Sequence, residues 1–369
     1  MKGLISRYKE IIVIVLVMIF GSYLFSYLSY ESLLNRPSPS LLDLWNKWDS
    51  PSYLDIAKNG YRKFGDEMWV RIVFFPLYPF FIRLFALVLK NYKLSALVVS
   101  NLAYVIACFY LYRLVLRSYT EEAAVRSVFY MSVFPTAYFF HAGYTEGLFL
   151  ALTIASFYYA REDRWLLAGF LGMLASATRI TGIFLVLALL IEYLSQKEFR
   201  IKKLKLNFLY LGLIPIGFIA YLVINYITFE NAFAFLIAQK EYWNKNLASP
   251  WRGLLWAWNY LWWKEGDPAY RLTVGGVEFV FGIFGLLCTI WAFLRLRVSY
   301  GVYMLLTWIA ATSTSFLLSV PRYTLSMFPI FILLALGAER REIHYLITIV
   351  FLFLYSLFLI MFAQGLWAF

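Results

Sequence analysis

The chain has 369 residues, 62% of them hydrophobic and 15% charged, with a mean hydropathy of +0.70. That balance excludes an ordinary soluble domain and points to a polytopic membrane protein. The net charge of +12 is no argument for a nucleic-acid partner, because excess Lys and Arg in such a protein mark cytoplasmic loops and anionic headgroups.

A bilayer core about 30 Å thick takes roughly 20 apolar residues per helix. The first such run, about 11–30, follows Lys2, Arg7 and Lys9. It is too long for a signal-peptide core and no small-x-small site follows, so it reads as a retained span with a cytoplasmic N-terminus. An exterior segment, 31–94, comes next. It contains the amphipathic run from Asp43 to Tyr61, dense in carboxylates, lysines and aromatics, and a short apolar stretch at 74–90 that carries Arg83. Further spans are expected at about 95–116, 124–140 and 145–160. The stretch 165–194 is interrupted by Arg179 and Gly182, and the remaining runs fall at 207–229, 273–294, 299–318, 323–338 and 342–364. A second exterior segment, 230–272, is rich in tryptophan from Trp251 to Trp263, and that stretch reads most simply as an interfacial anchor, with seating of a lipid tail as the alternative. Cys108 and Cys288 each lie within an apolar run, which argues against a disulfide or metal site between them. The Gly275-Gly276 pair is read as helix-start flexibility or close packing.

The positive-inside rule resolves the ambiguous stretches. Basic clusters at Lys197–Lys205, Arg113/Arg117/Arg126, Arg161/Arg164, Arg295/Arg297 and Arg340/Arg341 all fall on the cytoplasmic side under one pair of conditions. The 165–194 stretch must be a hairpin of two short helices turning at Arg179, and 74–90 must lie along or dip into the outer interface without crossing. The expectation is one integral-membrane domain over 1–369, all-α, with about eleven spans and its chemistry at the outer face.

Four polar constellations share that face: Trp48-Asp49 with Tyr53 and the Phe74–Pro79 run; Phe134–Glu146 with Tyr138, His141 and Tyr144; Thr178-Arg179-Ile180-Thr181-Gly182; and Pro321-Arg322-Tyr323. Ionisable groups at membrane depth are expensive, so Glu146, Arg179 and Arg322 are functional candidates by position. Acids and fixed cations at one lipid boundary suit a reaction with a phosphate leaving group. Each has a plainer alternative. Asp49 stands where a helix N-cap would precede Pro51, Glu146 is open to simple pairing with an arginine, and either arginine to snorkelling toward headgroups. Each half of the Arg179 hairpin is only about 22 Å long, which favours a recess over the bulk interface. His141 in its aromatic patch is expected to be structural, Asp55 a solvated face residue, and His344 has no assigned role.

Trp48-Asp49-x-x-x-Tyr53-x-x-Ile56-Ala57-x-x-Gly60-Tyr61, then Phe74-Phe75-Pro76-Leu77-Tyr78-Pro79, Tyr144-Thr145-Glu146, Thr178-Arg179-x-Thr181-Gly182 and Pro321-Arg322-Tyr323 occur in that order. Each is weak alone. Together, over about residues 45–330, they resemble the GPI mannosyltransferase II family and its prokaryotic relatives, membrane glycosyltransferases of GT-C fold. The resemblance implies a polyprenyl-phosphate sugar donor, mannose by family, and inverting transfer to an acceptor hydroxyl at the extracytoplasmic face. It also implies that the base is an acid of the first exterior loop, which falls on Asp49 and reverses the preference for a cap. Glu146 joins it as a candidate, either orienting an arginine or sharing a divalent cation (Mg or Mn) with Asp49. Arg179, Arg322 and Lys47 are the candidate donor-phosphate cations. Lys47 stands where the family usually has Arg, so a charge is kept but the bidentate fork is lost. Trp48, Tyr53, Tyr78, His141, Tyr144 and Tyr323 are the candidate substrate-binding residues. The acceptor class stays open between glycolipid, lipid-linked glycan and protein. The alternative readings are a lipid or glycan transporter or flippase, which would place ionisable groups near the midplane on related repeats, and a non-catalytic subunit.

Overall fold

The protein is described from a computed structural model covering residues 2–34, 39–63, 68–263 and 265–367. Residues 35–38, 64–67 and 264, which fall in the two expected exterior segments, lie outside the described residues. The described chain is helical throughout, with a single isolated bridge between Leu247 and Thr314.

Helix α1 (Lys2–Leu34) is followed by a short amphipathic helix α2 (Ser50–Asn59) and by α3 (Leu77–Leu89). Then come α4 (Tyr92–Leu116), α5 (Glu121–Val133), α6 (Glu146–Arg161), α7 (Trp165–Ser176) and α8 (Leu185–Gln196). The second half holds α9 (Ile214–Phe229), α10 (Ala234–Trp243), α11 (Pro250–Leu261), α12 (Glu278–Arg295), α13 (Val298–Thr312), α14 (Val320–Ser326), α15 (Pro329–Gly337) and α16 (Arg341–Gln364). Helix α6 is the centre of the bundle, buried along nearly its whole length between α4 and α7.

Five helical stretches among the described residues are long and apolar enough to cross a membrane, or six if the bent α14–α15 pair counts as one. The other expected crossings are helices of 12 to 16 residues, shorter than a bilayer needs on their own. Two expected spans are corrected by proline. The 124–140 helix stops at Val133, because Pro135 pushes Phe134 to an extended ψ of 141°, and the chain continues as a 3-10 turn, Ala137–Phe140. The 323–338 helix is two helices bent by 77°. Pro329 has no N–H to continue the ladder, and Met327 leaves helical geometry at ψ 69°.

The 165–194 stretch is a hairpin, α7 and α8, turning through Arg179. Helix α3 has 13 residues and is too short to cross alone. Its Phe80, Leu84, Leu87 and Val88 are exposed. Helix α11 leaves Trp251 and Trp258 exposed, as are Trp262 and Trp263 just beyond it. Gly275 takes the packing option: a Cβ there would sit 2.7 Å from the Leu261 nitrogen. Both cysteines are buried thiols.

Ion pairs sort the loops by end. Arg117 with Glu162, and Arg161 and Arg297 with the buried Glu192, tie together the ends of α4, α6, α8 and the α12–α13 turn. Glu146 opens α6 and Arg161 closes it, about 22 Å apart along the helix. The basic loops therefore gather at one end, and Glu146, Arg179 and Arg322 at the other.

Candidate functional site

Four charged side chains from four parts of the sequence form one alternating chain. Arg322 Nη1 donates to Asp49 Oδ2 at 2.7 Å, and its Nε donates to Glu146 Oε1 at 2.7 Å. Arg179 Nη1 donates to the same Glu146 oxygen at 2.6 Å and to Thr145 Oγ1 at 3.4 Å. Glu146 is 1% exposed, Arg322 nearly as buried, and the Asp49 side chain 33% exposed. Two carboxylates and two guanidiniums cancel in charge, which is what permits them to lie inside a membrane bundle. Both arginines also rest on aromatic faces: Arg322 lies 4.8 Å from the Tyr144 ring centre and 5.1 Å from Phe139, and Arg179 5.2 Å from Tyr323. The rings add cation–π attraction and hold the guanidinium planes.

Each member is placed by local structure. Asp49 occupies the N-cap position of α2, but its side chain makes no capping bond and turns to Arg322 instead. The turn before it is clamped by Tyr144, whose hydroxyl donates to the Lys47 carbonyl and accepts from the Asp49 N–H, each at 3.2 Å. Trp48, between them, sits at φ 55°, a left-handed conformation that a bulky residue rarely adopts. Gly143 lets this turn seat: a Cβ there would lie 2.3 Å from Ser50 Oγ. Arg322 is set by a carboxylate absent from the sequence expectations. Glu278, fully buried on α12, accepts from the Ser319 and Val320 N–H groups at 2.6 and 2.8 Å, fixing the turn that launches α14.

The chain of charges borders a cavity of about 160 Å³. Asp49, Arg179 and Arg322 line it with Thr145 and Thr178, and Val73, Phe74, Phe75 and Ile180 add apolar lining. Tyr53 and Tyr323, two of the candidate substrate-binding residues, also line it. Gln239 and Lys245, from the second exterior segment but ahead of its Trp-rich stretch, complete it with Thr181 and Ser319.

Six expected site residues stand outside the cavity wall, and the first is Glu146, which lies behind the arginines it joins. Tyr78 is fully buried, its hydroxyl bonded to Ser100 Oγ at 2.7 Å and to the Ala96 carbonyl. His141 is fully buried too, its Nδ1 2.9 Å from Asn101 Oδ1 and its Nε2 without a hydrogen-bond partner among the described residues. Trp48 is exposed and meets Trp367 edge-on at 5.3 Å. Lys47 contributes its carbonyl to the Tyr144 clamp. Tyr144 itself underlies Arg322. Asp55 departs from its solvated reading, since it pairs with Arg62 and Arg71 and receives a bond from Asn59. No group of three or more His, Cys, Asp or Glu side chains converges among the described residues. The position between Asp49 and Glu146 is filled by Arg322, so these two carboxylates do not fit a shared divalent cation.

A bundle of this topology with a charged cavity at one end is the GT-C class of membrane-protein fold. It is similar to ArnT from Cupriavidus metallidurans, solved bound to undecaprenyl phosphate, at TM-score 0.55 and 13% identity over 91% of this chain and 62% of that one. A fainter likeness, TM-score 0.44, joins it to the Archaeoglobus fulgidus oligosaccharyltransferase, with 14% identity over 88% of this chain and 48% of that one. Residues 75–227 match the family model of dolichyl-phosphate-mannose-protein mannosyltransferases. In sequence the chain is similar to GPI mannosyltransferase 2 of Schizosaccharomyces pombe, 26% identical over 169 residues, 45% of this chain and 35% of that protein. The chain thus aligns with about a third of that relative's length.

Proposed function

We propose that this protein is an inverting membrane glycosyltransferase that moves a sugar, mannose by family likeness, from a polyprenyl phosphate to an acceptor hydroxyl at the extracytoplasmic face. The observation that carries the reading is the Asp49–Arg322–Glu146–Arg179 chain bordering a cavity with apolar lining. Such a cavity suits a substrate with a charged head and a hydrocarbon tail. The sequence likeness to mannosyltransferases supports the sugar, and the basic loops gathered at the opposite end support the face.

The chemistry is a single displacement. Asp49 Oδ2 is held by Arg322, while Oδ1 accepts no hydrogen bond from the described residues. That free oxygen takes the proton of the acceptor hydroxyl as its oxygen forms a bond to the sugar C1. The C1–O bond to phosphate breaks on the opposite face, and the polyprenyl phosphate leaves with its added negative charge. Arg179 lines the cavity and stabilises that charge as it develops. Arg322 aims the base, and Glu146 holds the two guanidiniums in register.

The test is transfer by the purified protein in lipid from radiolabelled polyprenyl-phosphate mannose, with native membrane extract as acceptor source and polyprenyl-phosphate glucose in parallel. Label passing from the mannosyl donor to a glycolipid, lipid-linked glycan or protein, with an inverted anomeric centre, is the expected result. Absence of transfer from every lipid-phosphate sugar would favour the transporter reading.

A further inference from the structure

Beyond the two arginines of the charge chain, the cavity wall carries a third cation. Lys245 lines the cavity with Arg179 and Arg322, yet among the described residues no carboxylate lies within ion-pair distance of it. Its Nζ donates to the Leu318 carbonyl at 3.4 Å, one residue before the turn that Glu278 holds. Lys245 is not an arbitrary surface lysine, because backbone bonds stitch its segment to the site. Ser315 N donates to the Asn246 carbonyl at 2.8 Å, Ala248 N donates to the Ser313 carbonyl at 3.2 Å, and Leu247 bridges Thr314. The carboxylate that attracts it, Glu278, has its two oxygens taken up by the Ser319 and Val320 N–H groups, so the ammonium held on the cavity wall beside Arg179 is an anion subsite.

We propose that Lys245, together with Arg179, seats the phosphate of a lipid-phosphate ligand, and that residues 234–248 are part of the active site as well as of the interfacial surface. The inference rests on the transferase reading for the identity of the donor. The anion's nature follows from what shares the cavity with the cations: Phe74, Phe75 and Ile180 add apolar lining. A free phosphate ion has no use for that lining, and a lipid phosphate does. The same seat would hold donor before transfer and polyprenyl phosphate after it, so product inhibition and donor binding share one determinant.

The experiment uses the full chain in lipid nanodiscs, with a 55-carbon polyprenyl phosphate as probe. Binding is compared for wild type, Lys245→Met, Lys245→Arg and a remote control, Lys203→Met. Lys245→Met is expected to bind about tenfold or more weakly, the loss typical of a charge-assisted hydrogen bond, with Lys245→Arg and Lys203→Met close to wild type. In the transfer assay, Lys245→Met raises KM for the donor and the inhibition constant of the product in parallel. Unchanged binding by folded Lys245→Met would overturn the proposal, and so would displacement of the probe by inorganic phosphate at the probe's own concentration. The two readings fail separately. Lys245-dependent binding without any sugar transfer would sink the transferase and keep the anion seat. Transfer indifferent to Lys245 would do the reverse.

Discussion

At the scale of single residues, Glu146 is the keystone of the charge chain. It is buried, and through one oxygen it meets both Arg179 and Arg322. Glu146→Gln removes the only charge between two buried guanidiniums, and breaking a buried pair in this way costs about 3–5 kcal/mol. Thermal unfolding in detergent should show a correspondingly large loss, and an unchanged midpoint would mean that water already screens the cluster. Asp55 gives a pH-dependent counterpart outside the bundle. Burial works to raise its pKa, but Asn59, Arg71 and Arg62 prevail and hold it below its ordinary value of 3.8. A depressed carboxylate contributes stability above the unfolded pKa and loses it as pH falls through the folded one. Asp55→Asn should therefore cost about 1 kcal/mol at neutral pH, with the gap to wild type closing below about pH 4. A gap independent of pH would show that packing, not charge, was lost. Lys245 and Glu278 escaped the sequence reading because neither belongs to a local pattern. A single Lys in a loop and a single Glu at a helix start gain meaning only when distant chain folds against them. Tyr78 and His141 belong to the motifs yet lie beneath the cavity wall, since motif membership does not separate a wall from the layer under it.

Among the elements, the turn into α14 decides where Arg322 points. Ser319 at φ 68° and the following N–H are locked by the Glu278 carboxylate. Glu278→Gln replaces one acceptor oxygen with a donor, leaving one of these N–H groups unpaired at about 1–3 kcal/mol. A lower unfolding midpoint together with reduced transfer is the expected outcome. Full transfer by this variant would show that Arg322 needs no such support. The hairpin of α7 and α8 was legible from apolar length and the arginine between its halves. The break at Val133 and the bend at Pro329 were not taken from the sequence, although both prolines mark them. Apolar runs were delimited there by hydropathy alone, and hydropathy does not register a missing N–H.

At the scale of the whole molecule, a GT-C bundle brings a carboxylate oxygen of Asp49 that accepts no hydrogen bond from the described residues to the cavity proposed to take a lipid-phosphate sugar. The gathering of motifs at one end was legible because charge bias in the loops fixes the parity of the crossings. The number of crossings was less so, since α6, α7, α8 and α13 are shorter than a bilayer and shelter within the bundle. The most direct measurement is the rate of mannosyl transfer from a polyprenyl-phosphate donor by wild type and Asp49→Asn, reconstituted in lipid with matched unfolding midpoints. A kcat lower by about 10²–10⁴-fold in the variant is expected, with donor binding nearly unchanged. Equal rates in the two proteins would contradict it and remove Asp49 as the base.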